Sequence, residues 1–234
     1  MQTKEAYVHT LFDQISPRYD LFNRLASFGL DQSWRRRALA AAGLRPGLRV
    51  LDIGAGTADL ALAAAEAVCP TGVVMALDLS QPMLRLAAQK CARTPPGFHV
   101  RPVNARAEQL PLGDGAVEAV VSGFVMRNVS DLGRVLAESH RVLTRGGRLV
   151  ILEFGRPQPT AMRWGHAAWL TAGAPMIGWL ATGARWPFAY LRRSITEFLE
   201  PAAFVAQVRT AGFSDITTLP MMAGAVMINR GVKP

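Results

Sequence analysis

Apolar positions recur at helical spacing in the first part of the chain, as Val8, Leu11, Phe12 and Ile15 and again as Leu21, Phe22, Leu25 and Phe28. This predicts two helices separated at Pro17, the second ending at Gly29. Asp31 is placed to cap a third helix that runs to Ala42 and stops at Gly43. From residue 48 the pattern changes. Short apolar runs at Leu48–Ile53, Val73–Asp78, Phe98–Pro102, Ala116–Val121 and Arg148–Phe154 alternate with helical stretches at Ala58–Ala67, Gln81–Arg93 and Asp131–Leu143. Such alternation predicts an α/β fold, with a doubly wound, mostly parallel sheet covered on both faces and joined by right-handed crossovers. A helix at Pro201–Ala211 and strands at Asp215–Leu219 and Ala223–Gly231 would add an antiparallel hairpin strand. With no internal repeat or low-complexity linker, residues 1–234 read as one domain. Its parts are N-terminal helices (1–46), a core (48–154), a helical cap (156–200) and a C-terminal helix with strands (201–234).

Trp164 to Ala184 is the least ordinary stretch: rich in Ala, Gly and Trp, with no formal charge between Arg163 and Arg185. Its length approaches a membrane span. Pro175, four glycines and His166 interrupt it. A helix pair lying over a ligand pocket is therefore expected in preference to a transmembrane helix. The opening residues mix charges with isolated apolar positions and do not read as a signal peptide.

Composition narrows the function classes. Half the residues are hydrophobic and 18% are charged, a globular balance. The net charge of +9 favours an anionic partner without distinguishing nucleic acid from lipid. The short clusters Arg35-Arg36-Arg37 and Arg192-Arg193 read equally as solvated helix faces, and no basic run is interleaved with aromatics. No nucleic-acid partner is expected. Cys69 and Cys91 stand apart from any Cys/His cluster, and His9, His99, His140 and His166 lack metal-ligand spacing. No metal site is expected, and reduced thiols fit a cytoplasmic location.

The sharpest chemical signal is Val50-Leu-Asp-Ile-Gly-Ala-Gly-Thr-Ala-Asp59, an apolar strand that ends in a loop carrying Gly54 and Gly56 just before a helix. Glycines let the backbone approach a ligand closely, and a helix start offers unpaired N–H groups. The next strand ends in Asp78, about twenty residues on, the spacing of an acid that accepts both ribose hydroxyls. Alternatively, Asp78 only caps the following helix. These features suit a nicotinamide or a sulfonium nucleoside cofactor alike, but the third glycine of a dinucleotide fingerprint does not fit. Asn104-Ala105 after the third strand, a strand ending at Ser122, and the helix, Gly-Gly turn and strand from Arg141 to Val150 complete a succession over residues 48–154. That succession resembles the class I S-adenosylmethionine-dependent methyltransferases and implies a Rossmann-like fold.

The flanks sharpen the resemblance. Tyr19-Asp-Leu-Phe-Asn23, Ser27-Phe-Gly29, Trp34-Arg-Arg36, Ser122-Gly-Phe-Val-Met-Arg-Asn-Val129, Leu152-Glu-Phe-Gly-Arg-Pro157 and Tyr190-Leu-Arg-Arg-Ser-Ile195 resemble the UbiE-type family. So do Ala211-Gly-Phe213 and the terminal Gly224-to-Gly231 strand. That family methylates a ring carbon of ubiquinone and menaquinone precursors. Ala58 stands where the family pattern has a glycine, an extra residue lies near Phe124-Val125-Met126, and Trp164–Ala184 is unusually apolar. The resemblance implies S-adenosylmethionine contacts at Gly54, Gly56, Thr57, Asp78, Asn104, Ala105 and Ser122. Asp52 either orients the loop, meets the methionyl amine, or is structural.

Arg127 is expected to stabilise a phenolate or position water, with Asn128 orienting the ring oxygen; the alternative is a turn that merely caps the next helix. Replacing Arg127 by alanine should cut turnover and spare cofactor affinity. Tyr19, Asp20 and Asn23 are expected to close over the cofactor, and Tyr190 and Ser194 to meet the ring. The implied reaction is C-methylation of a prenylated quinol, demethylmenaquinol first, with a polyprenyl benzoquinol or a small specialised metabolite as alternatives. The lipophilic tail implies peripheral contact with the cytoplasmic membrane face. Neither rival, specialised-metabolite methylase or basic nucleic-acid binder, is closed by the residues alone.

Overall fold

The computed structural model describes residues 4–157, 160–182 and 187–234. Seven strands occur among them: β1 Arg49–Ile53, β2 Val73–Asp78, β3 Val100–Asn104, β4 Val117–Gly123, β5 Leu143–Phe154, β6 Ser214–Met221 and β7 Val226–Val232. They form one sheet in the order β3-β2-β1-β4-β5-β7-β6. The first five run parallel, and β7 is antiparallel to both β5 and β6. The chain leaves β1 towards β2 but returns to β4 on its other side, so a crevice opens beyond the carboxyl ends of β1 and β4.

β1 is buried on both faces, which is why its sequence is a near-continuous apolar run. Val50 packs with α3 (Leu30–Ala42) and α4 (Asp59–Val68), while Leu51 and Ile53 pack on the opposite side with α6 (Leu132–Val142) and α10 (Pro201–Thr210). Strand alternation puts Asp52 on the α3–α4 side. Side chains cap two of the helices. Asp131 accepts a hydrogen bond from Arg134 N–H at 2.9 Å, and Ser80 accepts one from Met83 N–H at the start of α5 (Gln81–Cys91).

Asp31 departs from expectation. α3 begins at Leu30, with Gly29 as its cap in the left-handed region (φ 75°). Asp31 is buried one residue inside, where it accepts a hydrogen bond from Ser27 Oγ at 3.1 Å. β3 lies two residues later than the apolar pattern indicates. It is a largely exposed edge strand whose register is set by pairing with β2, Asp78 against Asn104, and not by burial. β5 starts at Leu143, and its pairing with β4 shifts register between Val117 and Ala119.

Ahead of the sheet, α1 (Lys4–Ile15), a 3₁₀ turn at Ser16–Arg18 and α2 (Tyr19–Ala26) follow the predicted break at Pro17. The cap consists of α7 (Thr160–Ala168), a π-helical turn at Trp169–Gly173, α8 (Ala174–Thr182) and α9 (Pro187–Glu197). Pro175 lacks an N–H and its ring would crowd the carbonyl four residues back. The wide turn stands directly before it, where an α-turn would clash. No helix of the described residues is long and apolar enough to cross a membrane. Residues 183 and 184 of the apolar stretch, and Arg185, lie outside the described residues.

Candidate active site

The loop after β1 is shaped by its glycines. Gly54 and Gly56 take φ values of +69° and +56°, which L side chains rarely adopt. A Cβ on Gly54 would come 2.3 Å from Val125 Cγ2, so this position also has no room for one. Ala58 takes φ 69° as well. A glycine would suit that conformation, so the alanine carries strain of about 1–2 kcal/mol.

Asp78 meets this loop from the end of β2. Its Oδ2 accepts a hydrogen bond from Gly56 N–H and its Oδ1 one from Ser80 N–H, both at 2.8 Å. Burial pushes its carboxyl above the ordinary range, while those two N–H groups hold it back. Beyond the loop lies a cavity of about 130 Å³ lined by Gly54, Gly56, Asp78, Ala105 and Asn128 among others, with Tyr19 over it. A Cβ on Gly56 would meet only Tyr19 Cε1, at 3.8 Å, so the cradle is open on that side. A carboxylate for ribose hydroxyls, close-approach backbone and the apolar side chains of Met83 and Leu79 suit an adenosyl sulfonium donor.

The other expected cofactor residues, Asp52, Thr57, Asn104 and Ser122, do not line this cavity. Ser122 Oγ donates to Ile53 O at 2.8 Å and ties β4 to β1. Asn104 Nδ2 donates to the carbonyls of Asp78 and Leu79 at 3.0 and 2.9 Å, which fixes the chain after β2. Asp52 is fully buried, and among the described residues its carboxylate oxygens meet no donor in good hydrogen-bond geometry, the Ala61 N–H acting on them only weakly. Burial pushes its pKa up to about 8, with Arg35 pulling it down and Asp78 pushing it further up. Thr57 donates to Asp20 Oδ1 at 2.5 Å and accepts from Lys90 Nζ at 3.0 Å. Lys90 also pairs with Asp20 and Asp59 at 2.6 and 2.5 Å, fastening α2 to α4 and α5 beside the loop.

A second, apolar chamber of about 550 Å³ lies under the cap. Phe12, Tyr19 and Phe124 line both spaces and form the partition between them. Phe124 holds φ 64°, its ring centre 4.5 Å from that of Phe154 at a tilt of 33° and edge-on to Trp34. A bulky residue held there costs about 1–3 kcal/mol, a strain that collects at ligand sites. The Phe124 carbonyl accepts from Arg127 Nη1 at 2.5 Å and Asn128 Nδ2 at 3.3 Å. Arg127 is buried and paired with Glu153 at 2.7 Å, and Glu153 Oε2 also accepts its backbone N–H. Asn128 Oδ1 accepts from the Tyr190 hydroxyl at 3.0 Å, a link from the donor cavity to the apolar chamber. Burial raises the Tyr190 pKa, with Arg127 working against it.

Of the expected substrate residues, Tyr19, Asn23 and Tyr190 line the chamber. Ser194 does not, and its hydroxyl turns back to Leu191 O at 2.9 Å. The expected set omitted Phe12, Arg35, Lys90, Phe124 and Glu153. Arg35, Phe124 and Glu153 stood within the family-like motifs, and Glu153 carried a further signal as an acid set inside the apolar run Leu149–Phe154. Among the described residues no cluster of His, Cys, Asp or Glu could hold a metal.

The model of the ubiE/COQ5 methyltransferase family matches residues 1–233. A demethylmenaquinone methyltransferase of Thermus thermophilus is 40% identical over 96% of this chain and all of its own length. A ubiquinone/menaquinone biosynthesis C-methyltransferase UbiE of Pseudomonas fluorescens is 35% identical, over 99% of this chain and 90% of its own. Among solved structures, a SAM-dependent methyltransferase from Aquifex aeolicus superposes with a TM-score of 0.63 at 17% identity, covering 86% of this chain and 89% of that one. The last likeness is one of fold.

Proposed function

The chain belongs to the ubiE/COQ5 methyltransferase family and uses S-adenosylmethionine, and from that premise we propose that it methylates a ring carbon of a prenylated hydroquinone, demethylmenaquinol foremost. The observation that carries the reading is the pairing of two chambers. A small polar-edged cavity abuts a larger apolar one across Phe12, Tyr19 and Phe124.

The donor supplies an activated methyl on a sulfonium sulfur. Asp78 and the backbone of Gly54 and Gly56 bind its nucleoside end, and Tyr19 covers it. The chamber walls of Phe22, Phe154, Trp169 and Leu170 take up an aromatic ring with a lipophilic tail and exclude water. Holding the ring carbon in line with the transferred methyl is the main task of such a site. The acceptor phenol gives its proton to solvent, and the ring carbon forms the new C–C bond as the S–CH₃ bond breaks. The ring C–H proton then leaves and the oxygen regains a proton, which restores the aromatic phenol with one net proton released. The Arg127–Glu153 pair is nearly neutral overall. Its part in this reading is to fix residues 124–128, so that Asn128 and Tyr190 present polar edges to a ring oxygen.

The exposed apolar side chains around the cap support a peripheral position at the cytoplasmic membrane face, where a prenylated substrate would be dissolved. The deciding assay is transfer of labelled methyl to demethylmenaquinol and to the polyprenyl benzoquinol analogue. Label is expected in the extracted naphthoquinol in preference to the benzoquinol. Preference for a soluble phenol, or no label in either quinol, overturns the reading.

A further inference from the structure

Arg35 faces the apolar chamber from α3; the sequence offered it within a basic cluster and the Trp34-Arg-Arg36 motif, without a role. It is 8% exposed and lines the same space as Arg127, with its guanidinium carbon 5.9 Å from the centre of the Phe124 ring. The two arginines differ in what neutralises them. Arg127 is held at 2.7 Å by Glu153. The nearest carboxylate to Arg35 is Asp31, at 3.9 Å from Nε, beyond hydrogen-bond reach, and Nε is buried without a partner. No hydrogen bond from the Arg35 guanidinium is made among the described residues. Asp31 already accepts from Ser27 Oγ and from Gln32 Nε2.

The other groups around Arg35 do not balance its charge. Asp52, from β1, has its pKa pushed up to about 8 and is mainly protonated near neutrality. Tyr19, Tyr190 and His166 line the chamber, and burial lowers the His166 pKa, favouring the neutral ring. Glu153 is occupied by Arg127. A buried cation with unfilled donors in an apolar chamber is a strong attractor for an anionic oxygen.

We infer that Arg35 is a further catalytic residue, the cation that stabilises the acceptor oxygen as a phenolate while the ring rests against Phe124. The inference rests on the phenolic-acceptor reading above. No oxidant or reductant is required: the phenol proton leaves to solvent, and the negative charge that makes the ring carbon nucleophilic is held by the Arg35 donors. The electron pair passes into the new C–C bond as the S–CH₃ bond breaks.

The test uses the full-length protein saturated with S-adenosylhomocysteine and the probe 4-nitro-1-naphthol, whose anion is followed by its visible absorbance. Binding to the wild type is expected to lower the naphthol ionisation midpoint by about one to three pH units. Arg35→Met should return it to the free value, and Arg35→Lys should fall between. Asp31→Asn removes the one carboxylate among the described residues that lies within 4 Å of Arg35 and should lower it further than wild type, a change of sign that a packing role for Arg35 does not give. In turnover, Arg35→Met should lose roughly 100-fold near neutrality and recover part of it as pH rises toward the phenol's own ionisation. S-adenosylhomocysteine binding by calorimetry reports whether each variant is folded, and Asp31→Asn and Arg35→Lys do not depend on the methionine variant folding. Equal midpoints in wild type and Arg35→Met, or an unshifted wild type, overturn the inference. An Arg35-dependent shift without methyl transfer to any quinol upholds it and overturns the quinol reading instead.

Discussion

At Asp52 the carboxyl is fully buried, with no well-formed hydrogen bond among the described residues, and burial pushes its pKa up to about 8. In the unfolded chain an aspartate ionises near ~3.9. Between these values the folded protein keeps a proton that the unfolded chain releases, so stability falls as pH rises through this window and levels off above it. The slope reaches about 1.4 kcal/mol per pH unit at its steepest. Urea midpoints taken from pH 5 to pH 9 should show the decline, and Asp52→Asn should flatten it. A variant that declines as steeply as wild type refutes the assignment. The Arg127–Glu153 pair has a separate stability consequence. Arg127→Ala strands Glu153, 1% exposed, and should cost about 3–5 kcal/mol in addition to any turnover it removes. Arg127→Met combined with Glu153→Leu should recover most of that stability and none of the turnover; a single variant as stable as wild type would contradict the buried pair. These contacts explain what was legible at this scale. Gly54, Gly56 and Asp78 announced themselves because loop chemistry is local. Arg35 and Lys90 did not, since a basic residue on a helix looks the same whether it faces solvent or a partner many residues away.

Among the elements, the amino-terminal helices are joined to the donor site by polar contacts. Ser80 Oγ donates to Asp13 at 2.5 Å, His9 Nε2 lies 3.3 Å from Leu79 O, and Lys90 bridges Asp20 to Asp59. The groups around Lys90 are partly exposed, so each pair is worth at most about 1 kcal/mol. Lys90→Met should therefore loosen α1 and α2 without unfolding the sheet. Amide exchange over residues 4–26 should quicken, and affinity for S-adenosylhomocysteine should fall about tenfold, the equivalent of ~1.4 kcal/mol. Unchanged exchange and affinity would show that the bridge has no clamping role. Most strands and helices were readable because burial imposes a period of two or 3.6 on the chain. The exceptions mark where another force decides. β3 follows its hydrogen-bond register at an exposed edge. Asp31 turns inward because Gly29 can cap α3 from a left-handed backbone that aspartate is not needed to supply.

On the scale of the whole molecule, apolar surface gathers where the large chamber meets solvent. Phe28, Met162 and Met222 line that chamber and are 72%, 45% and 47% exposed. Around them stand Leu21 and Leu25 of α2 and Trp164, Trp179 and Leu180 of α7 and α8, all exposed, with α2 packed against α8. Exposed Arg24 and Arg163 lie on the same helices, and the chain carries a net charge of +9. Exposed apolar side chains and basic residues on α2 and α7, helices that also line the apolar chamber, are the features a protein would need to enter the headgroup layer without spanning it. Docked that way, a quinol could slide from the bilayer into the chamber without its tail crossing water. The expected result is sedimentation with vesicles containing anionic lipid, weakening as salt screens the basic flank. Trp164→Ser with Leu180→Ser removes two insertable side chains, at a fully buried value of ~1.5–3 kcal/mol each, and should weaken vesicle binding by at least about tenfold. The same variant should lose turnover on quinol dissolved in vesicles but keep it on quinol in detergent micelles, because the chamber itself is untouched. Absence of vesicle binding at low salt, with or without quinol, would remove the membrane from the scheme; equal losses in vesicles and micelles would move Trp164 and Leu180 from docking to the integrity of the cap.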